Sequence, residues 1–483
     1  MKDEFGKGQP RASDDFAREE QALLPARAVE AEARVPVGSW PTVTELRQEL
    51  ASQATIAGPQ YINMITMYAS NLVCIATVGH LGELELAAAS MSISMYSILG
   101  QGVILSMVGA LDTQASQAFG AHRFDQLGTI FQRTVSFCMV HCVPMNLMFA
   151  ALPALLRAMG QQPALIHQVT QYLLAMIPTV YLHSIIRPTN RIMLAQRIAI
   201  PQACVGTITL IIHVPITYFA VKWFGLLGAA WAYNLTSAMM IVFMWSYVGL
   251  VGLGPRVWGV PSKNAFQGWG PFARLAYSSC AMKCIESWSF GSMVLWAGKL
   301  PHPDSAVAAT GVVFSVYGFF FMSYGAGGMA ICARVGNHLG AGDAHRARAA
   351  ALVGLYLAPC IVLLTAILLV EPHCQSLLIR GFAGDSASPD LQARLRGLLH
   401  ILAIMQAFDC VQALMQGVIQ GAGRQSKGVL INLVSFYICG LPAAILLSFY
   451  FGWDVYGLVS GMALGSFIQA VCAGDHISEV QTA

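Results

Sequence analysis

The stretch AFGAHRFDQ (residues 118–126) returns later in the chain as HLGAGDAHR (residues 338–346), with Gly120 and Gly340 in register and 220 residues apart. Two further pairs keep nearly the same offset: VGHL near Gly79 with AGKL near Gly298, and FGLLGAAW near Gly228 with WDVYGLVSG near Gly457. Motifs that recur in one order at a near-constant offset indicate an internal repeat. The sequence therefore predicts two related halves.

Charged residues are scarce. Only 11% of the 483 residues are Asp, Glu, Lys or Arg, whereas 56% are hydrophobic and the mean hydropathy is +0.59. Soluble domains carry roughly 25% charged residues, so this chain has too few to cover a water-facing surface. We infer a multi-pass membrane protein whose surroundings are the lipid bilayer. The net charge of +3 gives no reason to expect a nucleic-acid partner.

Apolar segments of about 20 residues follow one another, each long enough to cross about 30 Å of hydrocarbon. The predicted spans are 52–78, 85–111, 127–154, 167–189, 200–222, 226–251, 272–298, 306–332, 347–370, 395–420, 428–450 and 456–473. A Gly- and Pro-rich segment separates the first six from the second six. The predicted fold is an all-α polytopic membrane protein with about twelve transmembrane helices in two pseudo-symmetric six-helix lobes.

Basic residues concentrate in the connections after the even-numbered spans, so the positive-inside rule places both termini in the cytosol. Two halves that begin on the same side imply a pseudo-two-fold axis along the membrane normal, an arrangement typical of transporters. The predicted divisions are residues 1–46 as a disordered cytosolic tail, 47–252 as the N-lobe, 253–270 as a cytosolic linker, 271–474 as the C-lobe and 475–483 as a short cytosolic tail.

The N-terminal segment EEQALLP fits an acidic dileucine sorting pattern through Glu19, Leu23 and Leu24. The pattern favours a vacuolar or other endomembrane location, and the plasma membrane stays the alternative.

Two acidic residues lie deep inside apolar spans, Glu286 and Asp409. An ionised side chain at the centre of a membrane helix costs about 2.5–3.5 kcal/mol on insertion scales. Burial in apolar surroundings favours the neutral form of a carboxyl group, so such a group can take up a proton on one side of the membrane and release it on the other. The alternative is a structural carboxyl that is hydrogen-bonded to a neighbouring helix.

Several motifs resemble one transporter family in the same order along the chain. They are VGHLGELELAAAS, ALDTQASQAFGAHR, RIMLAQ, GWGPFARLA, ARVGNHLGAGDAHRAR and LMQGVIQGAGRQSKGVLINLVSFYICGLP. The chain is identified by them as similar to multidrug and toxic compound extrusion (MATE) transporters, most closely the eukaryotic, plant-type branch. The resemblance implies a secondary antiporter, acting as a monomer, that exports organic solutes in exchange for protons.

The resemblance also implies site residues. Glu286 in CIESWSF matches the carboxylate of the seventh-span motif, and Asp409 matches the acidic residue before the GxxxGxGxQ-like run. Asn432 and Tyr437 match the family's eleventh-span NLxxxYxxGxP pattern. Both carboxylates are therefore expected to couple the ion, and both eleventh-span residues to line the cavity.

Aromatic side chains on the seventh and eighth spans are candidates for solute contacts. Trp288, Tyr317 and Tyr324 can stack against a flat or cationic solute, and packing within the protein or against lipid is the alternative.

Lys283 and Arg187 depart from the family pattern, in which apolar or uncharged residues are usual at these positions. Lys283 lies three residues before Glu286, so the two side chains share a helix face. A tight pair would keep Glu286 ionised, whereas a lysine turned away would leave it free to titrate. Both basic residues make the interior more positive, which favours an anionic solute such as an organic acid.

No motif of a competing chemistry was found. The sequence has no GxxxxGK[ST] phosphate-binding loop and no His, Cys or acidic cluster at metal-ligand spacing. We therefore predict no cofactor, no metal and no enzymatic activity. Two alternatives to proton-coupled export stay open, namely Na⁺-coupled export of the same solutes and flipping of lipids or lipid-linked sugars.

Overall fold

The computed structural model describes residues 40–158, 160–260, 262–383 and 388–475. The described chain contains twelve long helices, which we number α1–α12. They are α1 Val43–Val78, α2 Glu83–Gly120, α3 Phe124–Ala158, α4 Pro163–Ala175 with Ile177–Ala195, α5 Ile200–Phe224, α6 Leu226–Leu250, α7 Trp269–Ala297, α8 Pro303–Gly340, α9 Ala344–Val370, α10 Pro389–Gly421, α11 Gln425–Tyr450 and α12 Asp454–Asp475. Shorter helical segments are Gly254–Val257, Lys263–Phe266 and Pro372–Ala383.

Most of these helices can cross a membrane. Among the described residues, ten are long and apolar enough to do so, and the two parts of α4, bent by 42°, make an eleventh. The remaining long helix, α7, has 29 residues and carries Lys283, Glu286 and several serines, which lower its hydropathy. The predicted helical membrane fold is confirmed. The dileucine-like Glu19, Leu23 and Leu24 lie outside the described residues.

Helices extend beyond the apolar segments that predicted them. α1 begins at Val43, nine residues before the predicted span, because Thr42 and Glu45 form a reciprocal capping box. This brings Glu45 and Glu49 into the helix, although the apolar pattern begins only after them. Polar helix ends of this kind project past the hydrocarbon or are buried between the lobes.

The two halves meet across a local two-fold relation at the C-terminal ends of α2 and α8. A Cβ on Gly120 would lie 1.8 Å from the carbonyl oxygen of Asn337, and a Cβ on Gly340 would lie 2.0 Å from that of Gln117. The repeat offset maps Gly120 onto Gly340 and Gln117 onto Asn337, so the contact is reciprocal. The glycines of the repeated motif therefore allow the backbones of the two lobes to touch.

Replacement of Gly120 by Ala should separate these backbones and destabilise the protein. The side chain would overlap a carbonyl oxygen that belongs to a helix and cannot move aside cheaply. We expect a melting temperature lowered by several degrees in detergent, measured by intrinsic fluorescence. Gly249→Ala on α6 is the control, because a Cβ there meets no atom within 4 Å and alanine favours a helix by about 1 kcal/mol. Equal melting temperatures for both variants would contradict the close contact.

α7 connects the two hydrophobic cores. Phe272 and Ala276, in its first half, belong to the core of the N-lobe. Phe290, Met293 and Ala297, in its second half, belong to a core of the C-lobe. Lys283 and Glu286 lie between these two sets, at the point where the helix passes from one lobe to the other.

The linker between the lobes is attached to α3. The side chain of Gln132 donates to the carbonyl oxygen of Trp258 (2.6 Å) and accepts from the backbone N–H of Ser262 (3.2 Å). The indole of Trp258 packs edge-on against Phe131 and Trp245. The Gly- and Pro-rich segment is therefore a fixed part of the N-lobe side of the molecule.

Candidate functional site

Glu286 is 8% exposed and lies on α7, where it faces α10 and α11. Its Oε1 accepts a hydrogen bond from the amide of Gln412 (3.1 Å), and its Oε2 accepts from the amides of Gln416 (2.6 Å) and Asn432 (3.4 Å). All three donors are neutral amides. The carboxyl group is therefore held by dipoles, and no Lys, Arg or His of the described residues forms an ion pair with it within 4.0 Å.

Asp409 is fully buried on α10. Its Oδ2 accepts from the hydroxyl groups of Tyr317 (2.9 Å) and Tyr324 (2.8 Å) on α8, and its Oδ1 accepts from the amide of Gln412 (3.0 Å). These donors are again neutral. The second carboxyl thus has the same kind of surroundings as the first.

Gln412 joins the two carboxyl groups. Its amide nitrogen donates to Oε1 of Glu286 and to Oδ1 of Asp409, so each of its two protons serves one acidic residue. The amide oxygen of Gln412 is buried and has no partner among the described residues. A protonated carboxyl needs an acceptor for its new O–H group, and the side chain that bridges the pair carries an acceptor that is not yet used.

Lys283 is half-buried on α7. In the described part of the chain no ion pair within 4.0 Å joins it to Glu286. Arg191, Asp112 and Glu286 are charged groups close enough to act on its ammonium. Of the two arrangements that the sequence left open, the structure has the one in which Glu286 is not tied up by the lysine.

The predicted solute-contact residues occupy different surroundings. Trp288 and Tyr437 are 51% and 37% exposed, so their rings are available to a solute or to lipid. Tyr317 and Tyr324 are donors to Asp409, and the ring of Tyr317 is stacked on Phe290 at 4.9 Å. Asn432 is buried. Their role as solute contacts stays a prediction.

Asn432 links α7, α11 and α12. Its amide nitrogen donates to the carbonyl oxygen of Met282 (2.8 Å), and its amide oxygen accepts from Gln469 (2.7 Å). It therefore fixes the position of α7 beside Glu286.

A second charged group lies on the N-lobe side and was missed from the sequence. Asp112 on α2 and Arg191 on α4 are both buried, with 3.4 Å between Oδ2 and Nη1. Gln420 of the C-lobe donates to the same Oδ2 at 2.7 Å. Asp112 lies one residue beyond the predicted apolar span 85–111, yet the close approach of the two lobes buries it.

A third group of polar residues, which we name the Glu49 cluster, joins the lobes where α1 begins and α2 and α8 end. Arg334 of α8 donates from Nε to Oε1 of Glu49 (2.8 Å) and from Nη2 to Oε2 (2.5 Å), and His338 lies 3.3 Å from Oε2. Gln53 donates to the carbonyl oxygen of Ala350 (2.7 Å). The Glu49 cluster holds the lobes together at this end of the bundle.

Within the residues that the structure describes, no three His, Cys, Asp or Glu side chains are grouped so that they could hold a metal ion.

The comparisons with known proteins agree on one family. The MatE family model matches the chain twice, over residues 59–219 and 279–446, two matches that begin 220 residues apart. Protein DETOXIFICATION 51 of Arabidopsis thaliana is 31% identical, over 90% of this chain and 80% of that protein. Protein DETOXIFICATION 52 of the same plant is 30% identical, over 92% and 86%.

Solved structures show the same architecture. The crystal structure of the eukaryotic MATE transporter AtDTX14 matches with a TM-score of 0.84 and 27% identity, over 91% of this chain and 99% of that chain. An outward-facing multidrug resistance MATE family transporter of the MOP superfamily matches with a TM-score of 0.79 at 17% identity, which shows a shared fold.

Two repeated lobes, membrane-spanning helices and ionisable groups buried between them define a membrane transporter. The matches above make the assignment specific, because the family model covers most of both lobes. The chain belongs to the MatE family of multidrug and toxic compound extrusion transporters. It is a multi-pass membrane transporter of small organic solutes and not an enzyme.

Proposed function

We propose that this transporter exports organic solutes in exchange for protons, and that Glu286 and Asp409 are its coupling residues. Both termini lie in the cytosol, the protein works as a monomer, and it resides in a vacuolar or other endomembrane or in the plasma membrane. The observation that carries the proposal is the Gln412 bridge, which holds two buried carboxyl groups together without a cation.

Protons are the natural neutralising partner for this pair. Two neighbouring carboxylates repel each other when both are ionised, and burial increases the cost because few water molecules screen the charge. A lysine or arginine in the same place would neutralise the pair permanently. Neutral amide and hydroxyl donors leave the charge adjustable, because either carboxylate can take up a proton without displacing a cation.

Protonation of the pair would change the packing of several helices. The two carboxyl groups receive hydrogen bonds from α8, α10 and α11, while Glu286 itself belongs to α7. When a carboxyl gains a proton, it loses part of its capacity to accept, and its donors must find new partners. Differential stabilisation of two packings of the C-lobe is what alternating access requires.

The Glu49 cluster supports an assignment of the conformational state. With the termini in the cytosol, the contacts of Glu49 with Arg334, of Gly120 with Asn337 and of Gly340 with Gln117 lie on the cytosolic side. A transporter closed on the cytosolic side opens to the opposite side, so we infer an outward-facing state. In this state the solute leaves and protons load Glu286 and Asp409.

The coupling ion can be tested with the purified protein in liposomes. We expect an imposed pH gradient to drive export of a fluorescent cationic dye, and Glu286→Gln to abolish this response. Glu83→Gln, on the exposed first turn of α2, is the matched control and should keep it. Transport by Glu286→Gln at the wild-type rate under the same gradient would refute the coupling role.

Two further arms separate the alternatives. A Na⁺ gradient without a pH gradient should leave dye export at the background rate, and export under this condition would replace proton coupling by Na⁺ coupling. Liposomes with fluorescent lipid should show no accelerated flipping. Flipping without export of any soluble dye would overturn the proposal in favour of a flippase.

A further inference from the structure

We propose that Cys280 and Cys284 on α7 form a dithiol site that binds monosubstituted trivalent arsenicals, compounds of the form R–As=O. The inference goes beyond the exchange function and does not depend on it. It starts from two thiol groups that lie close together and are half-buried in the described structure.

The two sulfur atoms of the pair are in contact. Cys280 and Cys284 are four residues apart on one helix, so their side chains share a face of α7, and their Sγ atoms are 3.7 Å apart. Within the described part of the chain, each sulfur has the other as its hydrogen-bond partner and no second one. Both cysteines are free and half-buried, so a small reagent can reach them.

A direct disulfide does not suit this pair. The Cβ atoms of residues four apart on a helix are about 5–6 Å from each other, whereas a disulfide needs Cβ atoms about 3.5–4.5 Å apart. Because α7 is a continuous helix from Trp269 to Ala297, an S–S bond would require the backbone to unwind at this turn. An atom inserted between the two sulfurs spans the gap without such a change. The pair therefore suits a bridging ligand.

The number of thiols selects the class of ligand. A structural zinc ion takes four protein ligands, and in the described ranges no three His, Cys, Asp or Glu side chains are grouped to hold a metal ion. A monosubstituted trivalent arsenical needs two thiols. Both thiol protons go to the arsenic-bound oxygen, which leaves as one water molecule, and two As–S bonds replace the As=O bond while arsenic stays trivalent. Thiolate sulfur is a soft ligand and favours soft acceptors of this kind.

The chain contains a second cysteine pair with the same spacing, which serves as an internal control. Cys138 and Cys142 on α3 are fully buried, and the sulfur of Cys142 contacts the carbonyl oxygen of Cys138 (3.2 Å) and the hydroxyl group of Ser184 (3.1 Å). The two pairs thus share their helical spacing and differ in access to the sulfur atoms. Arsenic bound to the pair on α3 in place of the pair on α7 would contradict the proposal.

Phenylarsine oxide tests the site in the full-length protein in detergent, after reduction and removal of the reductant. The protein is treated with the arsenical, washed with a monothiol and alkylated with N-ethylmaleimide, and each cysteine is read by peptide mass spectrometry. We expect alkylation of Cys280 and Cys284 to fall about tenfold or more, because two joined As–S bonds resist a monothiol that removes arsenic from a single thiol. The exposed single cysteines Cys204 and Cys360 should be alkylated as before.

A dithiol separates a bridge from other causes of protection. Treatment with 1,2-ethanedithiol should remove the arsenic and return Cys280 and Cys284 to their original rate of alkylation. Unchanged alkylation of the two cysteines after phenylarsine oxide would overturn the proposal, as would protection that ethanedithiol does not reverse.

Substitutions test whether both thiols are needed. Cys280→Ser and Cys284→Ser each leave one thiol, and joining two contacts typically raises apparent affinity by about 10²–10⁴. We therefore expect either variant to release phenylarsenic at a monothiol concentration at least about 100-fold below that needed for the wild type. Cys204→Ser, at an exposed position of α5, is the control and should retain arsenic as the wild type does. If Cys280→Ser and Cys284→Ser hold arsenic as firmly as the wild type, the two residues do not form a bridge.

Discussion

Replacement of Asp409 by Asn is expected to abolish proton-driven export, with a rate at least 100-fold below that of the wild type. The carboxyl is fully buried and receives three hydrogen bonds from Tyr317, Tyr324 and Gln412. Asparagine has the same shape and retains one acceptor oxygen for the two tyrosines. Its amide group cannot bind and release a proton, so the variant should fold but remain uncoupled from the gradient.

The experiment compares export under a pH gradient with equilibrium binding of the same dye. We expect dye binding by Asp409→Asn to stay within several-fold of wild type, because the site loses a titratable proton and not its shape. Asp390→Asn is the matched control on the same helix, since Asp390 is exposed in the first turn of α10. Accumulation driven by the gradient in Asp409→Asn would exclude Asp409 from coupling and leave Glu286 alone.

The sequence singled out two candidate coupling residues but did not show what connects them. Glu286 and Asp409 stand out because a carboxylate inside an apolar span is costly. Gln412 has no such signal, since an uncharged amide in a membrane helix is compatible with many surroundings. Tyr317 and Tyr324 were expected to contact solute, and they donate to Asp409 in the structure. Periodicity gives the face of a helix but does not identify the atom that a hydroxyl group reaches.

The other buried charges escaped prediction for a different reason. Asp112 and Glu49 lie just outside the predicted apolar spans, where sequence alone suggests contact with water. Their burial follows from the approach of the two lobes, with Arg191 and Arg334 as partners. The repeat that predicts this approach was visible in Gly120 and Gly340, but the repeat does not show which polar residues lie around the contact. Contacts between distant segments depend on the assembled fold.

Replacement of Glu49 by Gln should separate the two lobes at the Glu49 cluster and shift the transporter toward its cytosol-facing state. Glu49 forms two hydrogen bonds with Arg334 and lies close to His338. Without the carboxylate, Arg334 remains 5% exposed with no anion to pair with, and removal of one partner of a buried pair typically costs about 3–5 kcal/mol. That cost applies only while the lobes are in contact, so the variant should favour the state in which they are separated at the Glu49 cluster.

Cys332 reports the opening. It is buried on α8, and its electrostatic neighbours Asp112 and Arg191 belong to the opposite lobe. We expect Glu49→Gln to raise the rate of alkylation of Cys332 by a membrane-permeant maleimide at least tenfold, measured by peptide mass spectrometry. Glu45→Gln is the control, because Glu45 is one-third exposed and its partner His345 lies 3.4 Å away. The charge-reversed pair Glu49→Arg with Arg334→Glu should restore protection by re-forming the contact in the opposite sense. If Glu49→Gln leaves Cys332 as protected as in the wild type, the pair between Glu49 and Arg334 does not hold the lobes together.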